Sequence, residues 1–205
     1  MLVAIVFIMA FLLGSLPFAV WLGKIFYGVD VRHHGSRNSG ATNTFRVLGK
    51  PLGFTVLFLD IFKGFLAIQL TISLLSTSTS IGLFSILTGL FCILGHVYSI
   101  FLKFKGGKGV ATSLGVFIAL DPIPVLVSFA VFLLILSVTR YVSLASIAAA
   151  TLLPVISYVA FHQIELTQIA FKIFIAILVL VTHRKNIKRL LRRSEPKMNL
   201  SKPNA

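Results

Sequence analysis

The chain is short of acidic groups, cysteine and charge in general, and each shortage narrows what it can be. Only five of its 205 residues are Asp or Glu, against 19 Lys and Arg, and charged residues make up 12% of the chain while 57% is hydrophobic. A soluble domain of this size is about a quarter charged, so the composition describes an integral membrane protein. The single cysteine, Cys92, excludes an internal disulfide and reads as a small core residue inside an apolar run. No His-x-x-x-x-Asp occurs, which excludes the acyltransferases that activate an alcohol with a His–Asp pair. Gly-x-Ser-x-Gly, a dinucleotide fingerprint, a Gly-x-x-x-x-Gly-Lys-Ser/Thr loop and a metal-ligand cluster are absent too. The His33-His34 pair has no cysteine or carboxylate cluster beside it and reads as solvated rather than metal-binding. Neither metal nor cofactor is expected.

What is present is a series of apolar runs near 2–23, 52–75, 80–101, 110–120, 123–139, 143–161 and 166–182. They predict an all-α polytopic membrane protein with seven transmembrane helices in one domain, 1–205. The run at 110–120 is too short for a straight span, and Asp121-Pro122-Ile123-Pro124 ends it. Residues 1–20 carry no charge, so the first run lacks the basic start of a cleaved secretory signal and is expected to be retained. Pro17 and Pro154 are expected as tolerated kinks.

Seventeen of the 19 basic residues fall between the first and second runs, between the third and fourth, at Arg140, or in a basic tail over about 183–205. The connections near 76–79, 121–122 and 162–165 have none. The positive-inside rule then places the N-terminus outside and the C-terminus in the cytoplasm. The +14 net charge therefore fits an anionic membrane surface, and nucleic acid is not expected as a partner. Of the two basic residues within spans, Lys63 is expected to neutralise Asp60 at i, i+3, and Lys172 to snorkel to the outer interface.

The unusual polar residues collect on the predicted cytoplasmic side. Phe104 to Thr112 reads Phe-Lys-Gly-Gly-Lys-Gly-Val-Ala-Thr. Gly106, Gly107 and Gly109 let the backbone turn and let a ligand approach its amides, while a helix starting near Gly109 adds its positive end. With Lys105 and Lys108, this stretch suits a phosphate. The first connection, Gly35 to Arg46, is dense in small hydrogen-bonding groups: Ser36, Asn38, Thr42 and Asn43, with Arg46 as a planar fork for phosphate. His96 is placed either to help bind phosphate or to bond a neighbouring helix. After the last run, a continuing helix puts His183, Asn186 and Leu190 on one face. The site is rich in phosphate ligands and poor in bases, which suits a donor that arrives activated. A transporter of a phosphorylated metabolite is the alternative, although such proteins carry polar residues through the midplane and inverted repeats.

These stretches resemble the bacterial acyl-phosphate:glycerol-3-phosphate acyltransferases over nearly the whole length. The resemblance rests on residues 35–46, Leu59-Asp60-Ile61-Phe62-Lys63-Gly64, Gly95-His96 with residues 104–112, residues 140–144 starting at Arg140, and the tail 183–191 starting at His183. It implies transfer of a fatty acyl group from acyl phosphate to the 1-hydroxyl of glycerol 3-phosphate in the bacterial inner membrane, with membrane lipid around the enzyme and the active site on the cytoplasmic side. An acyl-phosphate-producing enzyme is an expected partner. It implies Ser36, Arg46, His183 and Asn186 as catalytic residues. Asn38, Thr42, Asn43, Ser143 and Lys105 to Gly109 are implied as phosphate-binding. The two phosphates are expected to divide between the loop with Lys105 and Lys108 and a set of Arg46, Ser143 and His183, in either order. Three positions depart from the family pattern: Arg37 and Arg193 replace glycines, and Ser99 replaces a proline. Arg193 stands two residues before Glu195 and bears on where that carboxylate lies.

Overall fold

The computed structural model describes residues 1–162 and 165–198, so the far end of the basic tail, including Lys202, lies outside the described residues. Ten α-helices and two short 3-10 turns are joined by loops, and no strand occurs among the described residues. The chain divides into two compact units that meet in sequence at Leu120 and Asp121.

The first unit begins with α1 (Leu2–Ser15) and α2 (Phe18–Tyr27), bent by 42° at Leu16-Pro17. The kink expected at Pro17 is a break. Proline cannot continue the helix, and the carbonyls of Ser15 and Leu16 at its open end find partners far along the chain. Lys63 Nζ donates to Leu16 O at 3.0 Å, and Ser99 Oγ to Ser15 O at 2.5 Å. Ser99 keeps a φ of −55°, which suits the proline usual there, and adds a hydrogen bond that proline lacks.

A polar loop then leads through α3 (Ala41–Leu48) into α4 (Lys50–Leu75). Beneath the loop lies an apolar footing in which Val31, 0% exposed, packs with Ala19, Val20, Leu52 and Val56. After α5 (Ile81–Val97) and the 3-10 turn Ile100–Leu102 comes the glycine loop, then α6 (Val110–Leu120).

Two pairs of helices meet backbone to backbone. A Cβ on Gly14 would stand 2.0 Å from Cys92 O, and one on Gly95 would stand 2.2 Å from Phe11 O, so α1 and α5 cross closely. Gly64 and Gly115 do the same for α4 and α6. Small residues allow this contact where lipid supplies no hydrophobic push. Cys92 is fully buried in the first crossing, as a core residue.

In the second unit, α7 (Pro122–Thr139) and α8 (Val142–Phe161) form a hairpin around left-handed Arg140, followed by α9 (Leu166–Thr182) and α10 (Arg184–Leu191). Pro154 sits inside an unbroken α8. Lys172 is not a lone snorkelling side chain but one partner of an ion pair. It is 2% exposed and bonds Asp121, the residue before α7, and Ser157 Oγ on α8 at 3.0 Å. A carboxylate and a hydroxyl within reach satisfy this ammonium away from open water.

Among the described residues four helical segments are long and apolar enough to cross a membrane, and six if the bent pairs α1–α2 and α9–α10 each count as one. At 11 residues, α6 is about half the length a straight span needs. Phe54, Phe58 and Phe62 stand exposed along α4, as side chains meant for lipid.

Candidate active site

Candidate site residues occur in both units. In the first, the loop before α3 is built around Asn43, 1% exposed. Its carbonyl oxygen accepts from Ser36 N at 2.8 Å and Ser36 Oγ at 3.0 Å, and its amide donates to Val31 O at 2.7 Å and His34 O at 3.1 Å. All four hydrogen-bonding positions of the side chain are used. Asn43 therefore shapes the loop that presents Ser36, and is not placed to ligate phosphate as the sequence suggests. Gly35 at φ 56° and Arg37 at φ 58° turn the chain around it, which explains why glycine is the usual residue at position 37.

Ser36, Asn38, Thr42 and Arg46 are half-buried around this core. His33 and His34 are exposed, and no group of three His, Cys, Asp or Glu able to hold a metal occurs among the described residues. At the edge of the loop, Asp30 takes both ends of the Arg32 guanidinium at 2.9 and 2.6 Å, which holds its carboxyl well below the usual carboxylate range.

The glycine loop opens with two left-handed non-glycine residues, Lys103 (φ 52°) and Phe104 (φ 60°). Such backbone strain is concentrated at functional segments. It is held by Phe104 N donating to Ser99 O at 2.8 Å and Lys105 N to Leu102 O at 3.1 Å. The chain thereby returns along α5, where Gly106 N donates to Val97 O and Gly107 N to His96 O, both at 3.0 Å.

Here the structure corrects the expected phosphate cradle. The amides of Gly106 and Gly107 are turned inward, and these glycines are small because α5 presses on them. A Cβ on Gly106 would lie 2.0 Å from His96 O, and one on Gly107 would lie 2.2 Å from His96 Nε2. Gly109 has the left-handed φ of 84° that starts α6, as expected. The N–H groups at the start of α6 are the ones the helix leaves open next to this loop.

In the second unit the hub is Glu195, whose role the sequence left open. Ser143 Oγ donates to Oε1 at 2.8 Å, Asn186 Nδ2 to Oε1 at 2.6 Å, and Arg189 Nε to Oε2 at 2.6 Å. The backbone explains how it arrives there. After α10, Arg193 takes φ 54°, its N–H bonds Leu190 O at 3.0 Å, and Ser194 N bonds Arg189 O at 2.8 Å. This is a Schellman closure, in which the left-handed position is ordinarily glycine. Arg193 adopts it nonetheless and swings Glu195 back over the helix.

Burial pushes the Glu195 carboxyl up, but hydrogen bonds from Asn186, Arg189 and Ser143 outweigh it and hold the group below its ordinary range. His183, at the 62° bend before α10, is 3% exposed, and Asn186 is 5% exposed. The helix does not continue straight as expected, yet both side chains point inward. His183 Nδ1 lies 2.8 Å from Val179 O. A carbonyl only accepts, so Nδ1 carries the proton in this contact.

A third group, Asp60, Lys63 and His96, is buried in the first unit, and only its charge within an apolar run signals it in the sequence. Asp60 Oδ1 and Lys63 Nζ are 2.8 Å apart, the expected internal pair.

A family model described as glycerol-3-phosphate acyltransferase matches residues 4–193. Relatives of that name from Staphylococcus carnosus and Fusobacterium nucleatum are 46% identical over 202 residues (97% of this chain, 98% of theirs) and 45% identical over 190 residues (93% and 95%). The crystal structure of PlsY (YgiH), an integral membrane glycerol 3-phosphate acyltransferase, in its glycerol 3-phosphate form is 42% identical with a TM-score of 0.86, covering 96% of both chains. Its lysophosphatidic acid form is 41% identical with a TM-score of 0.84, covering 97% of this chain and 96% of that one. These matches favour an enzyme over a transporter, and the chain belongs to the glycerol-3-phosphate acyltransferase family of integral membrane enzymes.

Proposed function

We propose that the chain transfers a fatty acyl group from acyl phosphate to the 1-hydroxyl of glycerol 3-phosphate, giving lysophosphatidic acid and inorganic phosphate. The observation that carries this reading is that all five carboxylates are already engaged. Asp30 is held by Arg32, Asp60 by Lys63, Asp121 by Lys172, Glu165 by Thr167 and Gln168, and Glu195 by Ser143, Asn186 and Arg189. A site with no carboxylate to spare suits a donor whose leaving group needs no help. In the reaction the glycerol oxygen bonds to the acyl carbon, the acyl carbon–oxygen bond to phosphate breaks, and the electron pair leaves with phosphate. The hydroxyl proton passes to a phosphate oxygen of the substrate.

In the first unit, Ser36 and Arg46 serve catalysis, while Asn38, Thr42, the Lys105 to Gly109 loop and the start of α6 bind phosphate. In the second, His183 and Asn186 serve catalysis, with Asn186 oriented by Glu195, and Ser143 binds phosphate when its hydroxyl turns from Glu195 to the ligand. Positioning of reactants and donors aimed at the developing oxyanion supply the rate. The whole chain acts as one domain of seven spans with α6 the short one. Its N-terminus lies outside, and the C-terminus and site face the cytoplasm of a bacterial inner membrane, where an acyl-phosphate-producing enzyme supplies the donor.

The test is phosphate release by the purified protein in lipid, given palmitoyl phosphate with and without glycerol 3-phosphate. Release that needs both substrates and yields lysophosphatidic acid is expected. Acyl transfer from acyl-CoA but not from palmitoyl phosphate would overturn the donor assignment. Equal loss of activity in His183→Ala and His183→Gln, with a flattened pH–rate profile, would move the proton to His183.

A further inference from the structure

The buried group Asp60, Lys63 and His96 is assigned no part in the reaction above. Asp60 and Lys63 are each 2% exposed and His96 8%. Buried ion pairs are costly and seldom improve on apolar packing, so one kept inside a span invites a use. Its surroundings indicate which. Asp60 Oδ1 lies 3.6 Å from His96 Nδ1, on one side of the imidazole. On the other side, His96 Nε2 faces the Cα of Gly107, close enough that a methyl there would stand 2.2 Å away. The Gly107 amide donates to the carbonyl of the same histidine at 3.0 Å. Asp60, His96 and Gly107 also line one small cavity with Ser39, whose buried hydroxyl has no hydrogen-bond partner. The glycine loop thus rests directly on a ring whose far nitrogen faces a buried carboxylate.

We propose that Asp60, acting through the His96 imidazole, sets the position of the Lys105 to Gly109 loop and so the affinity for the substrate phosphate held there. Asp60 and His96 are positioning residues. The carboxylate attracts the Nδ1 edge, which fixes the ring plane and hence how far Gly107 and the start of α6 advance. Lys63 neutralises the carboxylate and ties it to Leu16 O at 3.0 Å, so the ring is set against a fixed anchor. The inference rests on the reading of the loop as a phosphate element, and the experiment separates the two.

The KM for each substrate, kcat and thermal unfolding in detergent are measured for five proteins: Gly107→Ala, Asp60→Asn, Asp60→Asn with Lys63→Met, His96→Ala, and His96→Ala with Gly107→Ala. Gly107→Ala is expected to raise the KM for one substrate about tenfold, and Asp60→Asn to raise that same KM about fivefold with kcat little changed. Removing the imidazole makes room for the methyl, so His96→Ala with Gly107→Ala should bind about threefold better than Gly107→Ala alone. Asp60→Asn with Lys63→Met strands no charge and so keeps the comparison sound if Asp60→Asn is unstable. A normal KM in that double variant would overturn the proposal, as would additive defects in the His96–Gly107 pair. An unchanged KM for both substrates in Gly107→Ala would instead overturn the reading of the loop itself.

Discussion

Replacing Asn43 by aspartate changes one atom of the side chain and should undo the first loop. In the structure the Asn43 amide nitrogen faces two carbonyls, Val31 O at 2.7 Å and His34 O at 3.1 Å, with the residue 1% exposed. An aspartate oxygen there has no hydrogen to give, so one buried and one partly buried acceptor lose their donor and a third oxygen is pressed against them. Each unsatisfied group costs about 1–3 kcal/mol, so the loss from two is about 2–6 kcal/mol before any charge repulsion is counted. For a chain of this size that lowers the melting temperature by on the order of 10 °C. The assay is thermal unfolding in detergent, run beside kcat and KM with both substrates. Asn43→Asp should melt early and lose activity together with its fold. A variant that keeps the wild-type melting temperature and only raises a KM would show Asn43 to be a ligand and refute the argument.

Other positions give sharper signs. Arg37→Gly and Arg193→Gly relieve left-handed side chains at φ 58° and 54° and should each stabilise by about 0.5–1 kcal/mol in the same melt; a loss at either would contradict the strain argument. Glu195→Gln presents an amide where Arg189 Nε donates at 2.6 Å, costing about 2–3 kcal/mol and lowering activity through Asn186 and Ser143. Because the folded carboxyl of Glu195 is held low, its stabilisation is present above the ordinary carboxylate range and is lost as pH falls through the lowered value. Melting curves of wild type should therefore drop on acidification more steeply than those of Glu195→Gln, and parallel curves would sink this account. Lys172→Met leaves Asp121 without its ammonium and should cost about 3–5 kcal/mol, with most of it recovered on adding Asp121→Asn. Equal instability in the single and double variants would show that the pair is incidental.

The helices were legible because apolar runs broken by proline and glycine dictate them. The start of α6 at Gly109 and the Asp60–Lys63 pair followed from local rules alone. What the sequence hid was long-range. Nothing local to Asn43 says that its partners are backbone groups of residues 31 to 36, so a polar side chain in a polar loop reads as a ligand. The same holds for Gly106 and Gly107, whose need for smallness comes from His96 pressing on them rather than from a ligand. The pairing of Lys172 was hidden because its partner, Asp121, is 51 residues away. Arg37 and Arg193 looked like departures of unknown weight, and only their φ values reveal that both keep the glycine conformation without the glycine.

The break at Pro17 bears on how the protein is made. Leu16 O and Ser15 O, left open by the proline, are claimed by Lys63 and Ser99, which lie 47 and 84 residues later in the chain. A ribosome adding about 5–20 residues per second needs several seconds to deliver them. During that interval the first bent span has two carbonyls unserved, a state that costs several kcal/mol per group in hydrocarbon. The N-terminal helices are thus placed early and finished late. A first segment that stays near water until α4 and the turn after α5 have been made avoids that cost.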